Sequence, residues 1–191
     1  MSADAWRWRS PIPDGPRGKK PNKGAVGCAD LSGHLYATKG NNTREFYKYF
    51  TDRDSWAAVS GVPVDQYARK QVRAGTDMAF VRHNGEDRVY LVKGGTNEFY
   101  CYFPEGDTWT PRARPGSWVG GSKFGAGSWL VTDGYSNIYA HKAKYHELWR
   151  YFVAQDSWAP CSPGGMPTYS WQTGQSKKSK DGGAATWYSD G

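Results

Sequence analysis

Residues 45–50, Glu-Phe-Tyr-Lys-Tyr-Phe, interleave aromatic and polar groups at the two-residue period of a β-strand. The segments around this run complete a four-strand unit. Gly24 to Leu31 is small and mildly apolar, suited to an inner strand, and Ser32-Gly33 follows as a turn. His34 to Thr38 reads as a second strand. Lys39-Gly40-Asn41-Asn42 supplies a turn of residues that tolerate positive φ, and Glu45 to Phe50 is the third strand. Asp52 to Asp54 turns the chain again. Trp56 opens an outer strand that ends near Val62-Pro63, where proline is tolerated at an edge.

The unit then recurs. Asp4-Ala5-Trp6, Asp54-Ser55-Trp56, Asp107-Thr108-Trp109 and Asp156-Ser157-Trp158 place their tryptophans 50, 53 and 49 residues apart. Tyr36-Ala37-Thr38-Lys39 returns as Tyr90-Leu91-Val92-Lys93 and Tyr139-Ala140-His141-Lys142. The run at 45–50 returns at 98–103 and 147–152. Turn chemistry moves in step, with Asn84-Gly85 and Asp133-Gly134 at the first turn and Gly94-Gly95 at the second. Ala143-Lys144-Tyr145-His146 departs from it, predicting a longer or differently shaped hairpin there. A period near fifty built of short strands predicts an all-β propeller of four-stranded antiparallel blades, because one such unit cannot bury its own faces. Residues 1–191 form a single domain on this reading, with blades over 22–63, 71–115 and 120–167. Residues 1–13 match the outer strand of a split blade and 180–191 match an inner strand, so the ring is incomplete within one chain.

Composition supports a folded interior with an aromatic bias: 38% of residues are hydrophobic, with ten Trp, thirteen Tyr and seven Phe. The net charge of +7 permits anionic partners. Acidic and basic residues nevertheless interleave along most of the chain, as on an ordinary solvated surface, so nucleic acid is not the expected partner. Cys28, Cys101 and Cys161 occupy different places in the repeat and make no Cys-x-x-Cys pair. Small packing residues are expected, and the compartment is left open. No apolar run approaches the roughly 18 residues that cross a bilayer, and the first thirty residues lack the apolar stretch of a secretion signal, so a soluble chain without a membrane span is expected.

The order of Tyr, Lys-Gly-Gly, an aromatic third strand, a short acidic turn and Trp resembles the kelch repeat, most closely at Lys93-Gly94-Gly95, Tyr102 and Trp109. The first unit has Gly40-Asn41 and the third has neither glycine, so the repeats are variants. The resemblance implies a propeller of four-stranded blades and leaves function open, since such folds serve many purposes.

Candidate chemistry is sparse. Lys39, Lys93 and Lys142 face Glu45, Glu98 and Glu147 across a hairpin once in every repeat, which reads as scaffold rather than catalysis. Trp6, Trp56, Trp109 and Trp158 have the same standing: each Asp is expected to close a turn through its own backbone and each Trp to pack between blades. Lys23, Arg73, Lys123 and Lys180 open the units and are candidate anion contacts at one mouth of the central channel. His34, His83, His141 and His146 show no metal-ligand spacing. No catalytic, cofactor or metal residue is assigned. The expected function is a non-enzymatic structural or protein-interaction module that self-associates through blade edges, closing a ring or building a filament. The alternatives are a lectin with repeated inter-blade pockets and a propeller fragment of a larger enzyme such as an oxidase.

Overall fold

The computed structural model describes residues 5–66, 69–117 and 123–188. Alternating apolar runs and positive-φ turns build three four-stranded antiparallel meanders, each in the order of the chain. The first is β1 (Val26–Ala29), β2 (His34–Thr38), β3 (Phe46–Phe50) and β4 (Ser55–Val59). The second is β5 (Asp77–His83), β6 (Glu86–Val92), β7 (Phe99–Phe103) and β8 (Thr108–Pro111). The third is β9 (Trp129–Thr132), β10 (Asn137–Lys142), β11 (Glu147–Phe152) and β12 (Ser157–Gly165). A two-residue hairpin, β13 (Tyr169–Ser170) with β14 (Gln175–Ser176), follows. The fold is all-β, made of propeller-type blades, with no closed ring among the described residues.

Turn chemistry sets each register. Asn84 and Gly85 sit at φ of 52° and 80°, and this two-residue turn of mirror-image type pairs His83 with Glu86, giving the second blade its seven-residue strands. In the third blade Lys144 and His146 take positive φ, and the stretch from Lys142 to Glu147 is as long as that from Lys93 to Glu98. That hairpin is therefore no longer than its counterpart. It is differently shaped, since pairing runs on to Lys142 with Glu147 where the second blade stops at Val92 with Phe99, and β12 adds a register shift between Glu147 and Trp149.

The cores lie between sheets rather than within one. Phe46 of the first blade meets Tyr102 and Trp109 of the second at ring-centroid distances of 5.0 Å. Phe99 repeats the contact on Tyr151 at 4.8 Å and Trp158 at 4.9 Å in the third. Edge-to-face and tilted rings of this kind add to the area they bury. Aliphatic side chains fill the space closer to the axis: Val89 and Leu91 pack with Met78 and Val72, and Ile138 with Val81 and Leu130. The core is thus less purely aromatic than composition suggests.

Inner strands β1, β5 and β9 are neighbours and run the same way, because their first residues share one recess and their last residues another. Gly24–Gly27, Gly75–Met78, Gly127, Ser128, Leu130 and Gly182–Ala185 line the first. Cys28, Met78–Phe80, Leu130–Thr132 and Ala185–Trp187 line the second. Gly24, Gly75 and Gly127 hold φ of 86–90° and back onto the carbonyls of Arg73, Gly125 and Lys180, where a side chain would collide. The strands expected over 1–13 and 180–191 are not formed by the described residues 5–13 and 180–188. An inner strand pairs with a second strand and an outer one with a third, and no such partner lies beside either segment among the described residues. Residues 1–4 and 189–191, Asp4 among them, lie outside the described residues, as do 120–122 at the head of the third blade.

Candidate functional site

The recurring residues converge on the seams between blades. At each seam one Asp and one Trp grip the backbone of a single residue from the segment that precedes the blade. Asp54 Oδ1 accepts the Ser10 amide at 2.8 Å and Trp56 Nε1 donates to the Ser10 carbonyl at 2.8 Å. Asp107 and Trp109 hold Ser60 at 2.7 Å on both sides, and Asp156 and Trp158 hold Ala113 at 2.9 and 2.7 Å. A tyrosine of the third strand steadies each carboxylate: Tyr49 on Asp54 at 2.5 Å, and Tyr102 and Tyr151 on Asp107 and Asp156 at 2.8 Å. The three Asp residues sit at φ of 47–48°, a left-handed turn position that Asp tolerates and that turns the carboxylate outward. The Asp therefore clasps a neighbouring segment, where a turn closed through its own backbone was expected.

A second clasp lies inside the first. Lys39 pairs with Glu45 at 2.9 Å, Lys142 with Glu147 at 3.5 Å, and Lys93 with Glu98 in closer contact. All three lysines are fully buried, and each also donates to a backbone carbonyl of the preceding segment: Asp14, Pro63 (2.9 Å) and Gly116. Tyr47, Tyr100 and Trp149 donate to the same carboxylates at 2.9, 2.8 and 2.9 Å. Burial pulls Lys93 and Lys142 below the ordinary lysine range, against the opposing pull of their glutamates. Burial, reinforced by the carboxylate acceptors, raises the phenols of Tyr100, Tyr102 and Tyr151. The Lys93 and Lys142 pairs are wholly buried, Glu45 reaches a surface pocket, and the arrangement recurs three times. They are buried pairs joining blades, not the simple cross-hairpin pairs expected.

Trp6 departs from its counterparts. It is fully exposed, while Trp56, Trp109 and Trp158 are partly buried and bonded. Trp8, Tyr169, Trp171 and Tyr188 are also exposed, so large aromatic groups collect on the two terminal segments.

The chain's charges, interleaved in sequence, are partly sorted in space. Segments leading into the inner strands carry Arg17, Lys19, Lys20, Lys23, Lys70, Arg73, Lys123, Lys177, Lys178 and Lys180, opposed there by Asp14, Asp65 and Asp181. Turns at the other end of the blades carry Asp30, Asp52, Glu86, Glu105 and Asp133, with Arg53 among them and Arg82 and Arg88 paired to Asp87 and Glu86, whereas Asp54, Asp107 and Asp156 reach back to the segments themselves. Antiparallel strands send alternate turns to opposite ends, so a sequence-level count hides this separation. Lys23 and Arg73 share one recess with Asn22, Asn41 and Asn42, and the side chains of Lys123 and Lys180 do not line it.

Histidines and cysteines are absorbed into the scaffold. His141 lies between the Glu147 carbonyl at 3.1 Å and Ser179 Oγ at 2.5 Å, and burial lowers its pKa. Burial pushes the Cys101 thiol up to about 11 and raises Cys28 and Cys161 as well. Among the described residues no set of three His, Cys, Asp or Glu side chains forms a metal-ligand cluster, and no helix is long and apolar enough to cross a membrane. No family model matches the chain, and no curated protein matches it.

Proposed function

We propose that the chain is a non-catalytic, kelch-like propeller module with a structural or protein-interaction role, which assembles with other copies through its terminal blade edges. The supporting observation is the seam. Each blade carries a ready clasp for the segment in front of it, and the polar groups that could do chemistry in every repeat are spent on that clasp. Seams of this kind stack like units, and nothing in their design is limited to three.

The terminal segments supply the drive. Trp6, Trp8, Trp171 and Tyr188 stand in water, and covering an aromatic side chain of this size is worth on the order of 1.5–3 kcal/mol. Another copy offers a matching aromatic edge. The lectin reading draws less support, because the repeated tryptophans donate their Nε1 groups to protein carbonyls and their rings pack within the seams. Replacing Trp6 and Trp8 together by Ser, with light scattering before and after, tests the proposal. Loss of a larger species supports it, and an unchanged mass, whether monomeric or assembled, speaks against these edges as the joint.

A further inference from the structure

We infer that the recess between the first two blades, at the basic end of the molecule, binds a tetrahedral oxyanion, namely a sulfate or phosphate group carried by a partner. The recess is open to solvent, has a volume of about 570 Å³ and is lined by Asn22, Lys23, Asn41, Asn42, Arg73 and Ala74. Two cations and three amides face it, and no carboxylate does.

The charge there is not compensated within the protein. Neither Lys23 nor Arg73 forms an ion pair among the described residues, nor do Arg17 and Lys19 behind them. These groups meet neutral oxygens instead. Arg73 Nη2 donates to Asn42 Oδ1 at 3.1 Å, and its Nε is buried without a partner. Arg17 donates to the Asn42 carbonyl at 3.3 Å, and Lys19 to the Asn41 carbonyl at 3.1 Å. Four cations thus surround one asparagine turn. Charge-assisted bonds to an oxyanion are about twice as strong as bonds to neutral acceptors, so an arriving anion gains more than it displaces.

The turn itself departs from the repeat. Gly40, Asn41 and Asn42 all hold left-handed backbone, at φ of 59°, 49° and 57°. The second blade places Gly94-Gly95 there, and glycine takes this conformation without steric cost. Asn41 Nδ2 donates to the Lys20 carbonyl at 2.9 Å and Asn42 Oδ1 accepts from Arg73, so each asparagine adds an amide that a glycine would lack.

Calorimetric titration with potassium sulfate and with potassium phosphate, against potassium chloride at matched ionic strength, tests this. Binding of at least one oxyanion above the chloride response is expected. Lys23→Gln with Arg73→Gln should weaken it about tenfold. Asn42→Gly keeps the turn, removes an amide, and should weaken it a few-fold, while Arg53→Gln at the far end should leave it unchanged. Tighter sulfate assigns a sulfate ester. Tighter phosphate, growing with pH as the second proton leaves, assigns a phosphate ester. Titrations indistinguishable from chloride, or undiminished in the double variant, overturn the site. If the double variant fails to fold, Lys23→Gln alone, an exposed side chain, carries the comparison.

Discussion

Trp109 and Trp6 occupy the same place in the same motif and have opposite fates. Trp109 lies against Tyr102 and Phe46 and donates to the Ser60 carbonyl, while Trp6 is fully exposed. The difference is the surroundings: Trp109 has a third strand beside it, whose Tyr102 fixes Asp107, and a preceding segment to hold. Trp6 has neither among the described residues. An Asp-x-Trp motif is therefore half of a joint, and its energetic content depends on whether the other half is present.

The largest effects should come from breaking a joint that is complete. Glu98→Ala leaves Lys93 buried and unpaired, and a loss of roughly 3–5 kcal/mol is expected in chemical denaturation. Adding Lys93→Met should recover part of it, since this removes the stranded charge while the space vacated by Glu98 stays unfilled. Trp109→Phe separates the two tryptophans directly. It deletes the bond to Ser60 and should cost about 1–2 kcal/mol, against less than about 0.5 kcal/mol for Trp6→Phe. Equal costs would mean that the seam bond contributes nothing.

Two smaller effects sharpen the contrast between seams and turns. Burial raises the Asp133 carboxyl, but amides of Asn137, Tyr135 and Ser136 outweigh it and hold the pKa below the ordinary aspartate value. Because the folded pKa is the lower one, this stabilisation is complete above the unfolded pKa, near 4, and is lost as pH falls through the folded value. The stability deficit of Asp133→Asn should accordingly be seen at pH 7 and shrink below about pH 4. A deficit independent of pH would contradict it. Smallest in energy, the Cys101 thiol should resist alkylation at pH 8 until the protein is denatured, whereas half-buried Cys161 reacts sooner.

Much of the architecture was legible because local signals agreed. His34–Thr38 is the second strand as read from its pattern, and Phe46–Phe50 falls within the expected third. Asn84-Gly85 forms the two-residue turn that its chemistry demands. That each Lys faces its Glu across a hairpin was visible from their repetition. Their burial was not, because it depends on carbonyls contributed by Asp14, Pro63 and Gly116 from separate segments. Contacts across a seam leave no short-range trace. The clasp of Asp107 on Ser60 joins residues 47 apart. The separation of charge was hidden for a related reason: it follows from which turns share an end of the sheet.

Light scattering over a concentration series tests self-assembly most directly. A module with unfilled terminal edges should give a discrete multiple of 21.3 kDa or a growing series of larger species. A monomer of 21.3 kDa that persists at the highest concentration reached would contradict it.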